Sequence, residues 1–151
     1  MRIAGLGVIF RGKIWSPPEG PLFESYTEWL SVNKPRHGES DVVRQAQART
    51  HHSTIFWDVY RRLWDQRADV LVAHEAPPVH PHGFTAIDDL ANAMGVTATF
   101  HGHRHDSLDY RTEWERLGFK AFGVGFCGIT DLDGRLVRAG DFDEARAGRG
   151  E

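Results

Sequence analysis

The stretches DVLVAHEAPP (residues 69–78) and VTATFHGHRH (residues 96–105) share one construction: a short apolar run that delivers the chain to histidines. Runs of four or five such residues, rich in valine and threonine, read as buried strands. Pro77 and Pro78 forbid continuation of the first, which therefore ends at His74. Between the two, Thr85–Met94 reads as a helix. Ile87, Leu90, Ala91 and Met94 form its apolar stripe, Thr85 and Asp88 resemble a capping box, and Gly95 is the C-terminal stop. A strand–helix–strand unit of this length places its two strands parallel and near one another. The expected fold class is α/β, with histidines at the C-terminal strand ends, where α/β proteins usually build their sites.

Working outward, RIAGLGVIF (2–10) reads as another largely buried strand. A long polar connection follows, carrying Pro17, Pro18, Pro21 and Pro35, with a short helical turn around Ser25–Leu30. Ser53–Arg67 gives the strongest helical signal: Ile55, Phe56, Val59, Tyr60, Leu63 and Trp64 recur at three- and four-residue spacing behind Ser53 as N-cap. KAFGVGFCGITDLDGRLV (120–137) reads as two strands joined at Asp133-Gly134. The expected organisation is one domain over 1–140 and a charged, disordered tail over 141–151.

Composition narrows the function classes. A net charge of −3 does not indicate nucleic-acid binding, and no apolar run is long enough to span a membrane. The single cysteine, Cys127, excludes an internal disulfide, and Met1-Arg2-Ile3 does not open as a signal peptide would. A cytoplasmic location is expected.

Six of the nine histidines (His74, His80, His82, His101, His103 and His105) fall within the 32 residues from 74 to 105. His103 and His105 can aim at one place in the turn that Gly102 permits, and His74 ends a neighbouring strand 29 residues earlier. Neutral imidazole ligates Zn, Mn, Fe and Ni, so these three are the candidate metal ligands. His80 and His82, in PPVHPHG, are candidates for the mouth of a site, although a proline-rich loop accounts for them nearly as well. Arg104 is a candidate contact for a substrate phosphate, with solvent the equal alternative. His101 points away from its neighbours. His37, His51 and His52 are read as structural or solvent-facing.

VLVAHEAPP followed by FHGHRH resembles the last two metal-binding blocks of the calcineurin-like metallophosphoesterases. RIAGLGVIFRGKIW resembles the strand that follows that family's Gly-Asn-His block. The resemblance runs from the first residues to about Gly140. It implies the C-terminal part of a four-layer α/β/β/α sandwich that holds two divalent ions such as Mn, Fe or Zn. It assigns His74 and His103 to one ion and His105 to the other. The implied reaction is hydrolysis of a phosphoric ester by a metal-activated hydroxide.

The family's Asp-x-His, Gly-Asp-x-x-Asp and Gly-Asn-His blocks do not occur in this chain. Two dications need carboxylates as ligands and to offset charge, so at most one ion is expected here, with little hydrolysis by the chain alone. A separate chain carrying the N-terminal half is the expected partner, beside a phosphate-ester substrate. The competing readings are a non-catalytic three-histidine metal binder and a degenerate remnant.

Overall fold

In a computed structural model, residues 1–34, 38, 40–103, 105 and 107–143 are described, residues 44 and 47 for their backbone alone. Arg104, His37 and residues 144–151 lie outside the described set. The elements run β1 (Ile3–Leu6), α1 (Tyr26–Val32), α2 (Asp41–His52), α3 (Trp57–Trp64), β2 (Val70–Ala73), α4 (Thr85–Met94), β3 (Ala98–His101), β4 (Leu108–Asp109), α5 (Trp114–Leu117), β5 (Lys120–Gly123), β6 (Ile129–Thr130) and β7 (Leu136–Arg138). A single 3₁₀ turn, Arg111–Glu113, leads into α5.

Five strands form one sheet in the order β1-β2-β3-β5-β4. The first four are mutually parallel, and β4 runs antiparallel to β5. The α/β expectation holds at this level. Register aligns the strand ends: Leu6, Ala73, His101 and Gly123 sit side by side, so the segments that leave β1, β2 and β3 emerge along one edge.

The two faces of the sheet differ. Leu6, Leu71, Ala73 and Ala121 face a large core that includes Tyr60 of α3 and Ile87, Leu90 and Met94 of α4. On the opposite face Val70, Ala98, Phe100 and Phe122 make a smaller cluster, backed by Trp114. The turn between β6 and β7 reaches this side too. Gly134 lies so close to the Phe122 ring that an added Cβ would meet Cε1 at 1.9 Å, and its φ of +80° also requires glycine. The cover stops there. Toward β1 the same face is open, with Ile3 58% and Val72 46% exposed.

Local reasons for the elements are visible in the caps. The Ser25 hydroxyl accepts from the Glu28 amide to start α1, and Ser40 does the same for Val43 at α2. Gly95, with φ of +68°, stops α4 as expected. Three expectations are corrected. Ser53 closes α2 instead of opening the next helix, and α3 begins at Trp57 behind Phe56. Phe84, with no side-chain cap, precedes α4, so Thr85 and Asp88 form no capping box there. The 120–137 segment is split: β5 joins the parallel sheet, while β6 and β7 form a separate ribbon around Asp133-Gly134. Residues 141–143 are bonded into the body, since Asp143 accepts from the Ser107 and Gly140 amides and the Asp141 amide donates to the Phe126 carbonyl. Among the described residues no helix is long and apolar enough to cross a membrane.

Candidate metal centre at the strand ends

His74 is the first residue after β2, and His103 follows β3 by two. Their backbones are tied directly: the His103 amide donates to the His74 carbonyl at 3.0 Å, and the His74 amide donates to the Leu6 carbonyl at 3.2 Å. Parallel register and these bonds bring the two imidazoles together, with ring centroids 4.5 Å apart.

Beside them stands a group that the sequence reading passed over. Glu75 is 3% exposed; its Oε1 accepts from the Phe10 amide at 3.2 Å, and its Oε2 lies 3.4 Å from His103 Nδ1. The carboxylate thereby links the exit of β1 to the loop after β3. A signal was available in the sequence. Glu75 sits between Ala73 and Ala76-Pro77-Pro78, an apolar setting in which a carboxylate is costly unless partnered. With Nδ1 facing Glu75, Nε2 is the His103 nitrogen left to act as a lone-pair donor. Metal-ligating histidines divide their nitrogens in the same way.

Burial first, then the neighbouring His103 and His105, hold the His74 pKa below its ordinary value, against a smaller opposing pull from Glu75. Its neutral form, the one able to ligate a cation, is therefore favoured at neutral pH.

His105 takes a different position. It lies at φ +62°, a left-handed conformation uncommon for a side chain other than glycine or asparagine. Its ring packs against Phe126 at 5.1 Å and Phe142 at 6.4 Å. The structure thus brings His74 and His103 together and leaves His105 within electrostatic reach of His74, stacked on phenylalanines. Among the described residues, no group of three or more His, Cys, Asp or Glu side chains stands where it could hold a metal ion. The donor types fit a borderline dication such as Zn or Mn, while their number falls short of a closed shell.

The other histidines are distributed by burial. His80 is 7% exposed, its Nδ1 accepts from the His82 amide at 3.0 Å, and its ring lies 6.1 Å from that of His101. It holds the 77–83 turn together, and His82 is the exposed member of the pair. Gly83 closes this turn at a place where any Cβ would stand 1.8 Å from the Pro77 carbonyl oxygen. His101 points into the body, stacked on Tyr110 with its Nε2 3.2 Å from the phenol oxygen. Burial pushes the Tyr110 pKa up to about 12, so it remains a neutral phenol. Arg104 lies outside the described residues. A recess of 510 Å³ opens beside the site on the uncovered face, with Gly5, Val72, His74, Phe100 and Gly102 in its wall.

An uncharacterized protein of Haemophilus influenzae (strain ATCC 51907 / DSM 11121 / KW20 / Rd) is 41% identical to the chain over 136 residues. The match covers 90% of the chain and 57% of that protein, so the chain spans little more than half the length of this relative. No family model and no solved structure matches the chain.

Proposed function

We propose that the chain is the histidine-bearing C-terminal part of a calcineurin-like metallophosphoesterase domain, acting in the cytoplasm on phosphoric esters. The observation that carries this reading is the pairing of His74 and His103 at neighbouring parallel strand ends, with the Glu75 carboxylate set against His103 Nδ1. His74 and His103 hold one divalent ion, Mn, Zn or Fe, and His105 contributes to a second. Glu75 fixes the His103 ring through Nδ1. Arg104 and His82 face the substrate phosphate, with His80 behind them as the anchor of the turn. Bound there, two such ions would supply an activated hydroxide and neutralise charge on the phosphoryl group.

Three imidazoles and one carboxylate are too few donors, and too little negative charge, for two dications. The remaining carboxylates are proposed to come from sequence beyond this chain or from a separate chain carrying the N-terminal half. The uncovered face at Ile3 and Val72 supports this, since a second sheet of a four-layer α/β/β/α sandwich would bury it. So does the greater length of the H. influenzae relative.

The test compares two proteins on bis-p-nitrophenyl phosphate with added Mn: the chain alone, and the chain joined to the sequence flanking it in its gene. The joined protein is expected to hydrolyse the ester and to lose about 100-fold in kcat/KM on His103→Ala. The chain alone is expected to bind at most one ion per molecule by elemental analysis. Stoichiometric metal without hydrolysis in the joined protein would favour a single-ion binding site, and neither metal nor hydrolysis would leave a remnant.

A further inference from the structure

Helix α3 carries Trp57, Tyr60 and Trp64 at three- and four-residue spacing, which places all three rings along one stripe. The rings are in mutual contact: Trp57 and Tyr60 stack at 5.5 Å, and Tyr60 and Trp64 meet at 5.7 Å. Trp15, from the connection after β1, packs edge-on to Trp57 at 5.1 Å and to Tyr60 at 5.0 Å. Its indole N–H donates to the Glu19 carbonyl at 2.9 Å, and the Leu22 amide returns to the Ile14 carbonyl at 2.8 Å. The proline-rich segment between is therefore a closed excursion lying beside the aromatic stripe.

Between that excursion and helices α3 and α4 lies a recess of 280 Å³. Its apolar wall is aromatic and proline, and its only charged lining residues are two acids, Glu19 and Asp89. Both are exposed, whereas Trp57 and Trp64 are half-buried. The Tyr60 phenol is already committed, donating to the Ala86 carbonyl at 2.8 Å. Burial, with a smaller contribution from the Asp89 charge, raises its pKa well above the ordinary value, so Asp89 acts on this recess electrically.

We propose that this recess binds a small quaternary ammonium ligand, with its methyl groups against Trp57 and Trp64 and its charge balanced by Glu19 and Asp89. Indole faces carry the negative lobe of the ring quadrupole and attract a cation that has been partly stripped of water. A quaternary centre suits such a wall because its charge is spread over methyl groups and asks for no hydrogen-bond acceptors. A primary ammonium needs three acceptors, and here the carboxylates stand at the rim. The site lies on the helix side of the molecule, so it does not depend on the strand-end histidines or on the hydrolytic reading.

The experiment follows the tryptophan indole resonances by ¹H–¹⁵N NMR at matched ionic strength, with Trp57 and Trp64 assigned from Trp→Phe variants. Three probes are titrated: choline chloride, its neutral isostere 3,3-dimethyl-1-butanol, and Nα-acetyl-lysine amide. Choline is expected to give saturable shifts at Trp57 and Trp64, and the alcohol to bind about tenfold or more weakly. The Glu19→Gln/Asp89→Asn variant, altered only at exposed positions, is expected to weaken choline binding several-fold, and Trp64→Leu to abolish it. Equal shifts with the alcohol would mark a merely apolar recess and overturn the proposal. It falls equally if lysine amide binds more tightly than choline, if no shift saturates, or if the charge-removed variant binds choline as the parent does.

Discussion

At the scale of single residues, Glu75 holds the candidate site together. It bonds the Phe10 amide with one oxygen and approaches His103 with the other, while almost fully buried. Glu75→Gln keeps an acceptor for Phe10 but removes the charge facing Nδ1. On the proposed reading it lowers Mn or Zn affinity about tenfold or more, because the carboxylate partner of a ligating histidine sets both its orientation and its basicity. Metal titration of the parent and the variant checks this, and equal affinities would detach Glu75 from the site. His74 and the Gly-His-x-His run were legible in the sequence because an apolar strand ending in histidine is a local pattern. The placement of His105 was not. Alternation along an extended segment puts residues 103 and 105 on one face, but the left-handed backbone at 105 turns that ring onto Phe126 and Phe142, which come from distant parts of the chain.

At the scale of elements, β2, α4 and β3 were readable because each is bounded by its own punctuation. Helix α2 was not, and the reason is physical. DVVRQAQARTHH has no apolar stripe, and Val42 and Val43 are exposed. It forms from residues of good intrinsic propensity behind the Ser40 cap. Once α2 is present Ser53 belongs to its end, and this displaces the start of α3 to Trp57. What α2 does bury is aromatic: His51 lies 4.0 Å from the Trp29 ring of α1, and His52 lies 5.0 Å from Tyr26. Burial, then the charges of Arg11 and Lys13, hold the His51 pKa below 6.5. The folded chain therefore binds fewer protons here than the unfolded chain. The resulting stability is complete above pH 6.5 and is lost as pH falls through the lowered folded value. Urea midpoints measured from pH 7.5 downward should fall on this side of neutrality. His51→Gln should flatten part of the slope, with His74 supplying a further part in the same sense.

For the whole molecule, the asymmetry of the sheet is the dominant fact. One face is sealed by α3 and α4, and the other is covered only at its β5 end, by Trp114 and the Gly134 turn. A parallel sheet is ordinarily covered on both faces. Val72, near the middle of the open area, separates the two states of the proposed domain. Val72→Lys should change the melting behaviour of the chain alone by no more than about 0.5 kcal/mol, since the position is already exposed. The same change should sharply reduce Mn-dependent hydrolysis in the joined protein, where a lysine would be buried without a partner. Activity that survives there would show that nothing packs on this face. The order of the strands carries a consequence for time as well as for space. β2, β3 and β5 are contiguous in the chain, whereas β1 reaches β2 across a separation of 67 residues, Ile3 to Val70. The loop closed by that pairing is the longest in the sheet, and β1 is also an outermost strand. In native-state hydrogen exchange, amides that bridge β1 and β2 should therefore trade their protons first, and those between β3 and β5 last. The first strand of the sequence would then be the last to join and the first to leave.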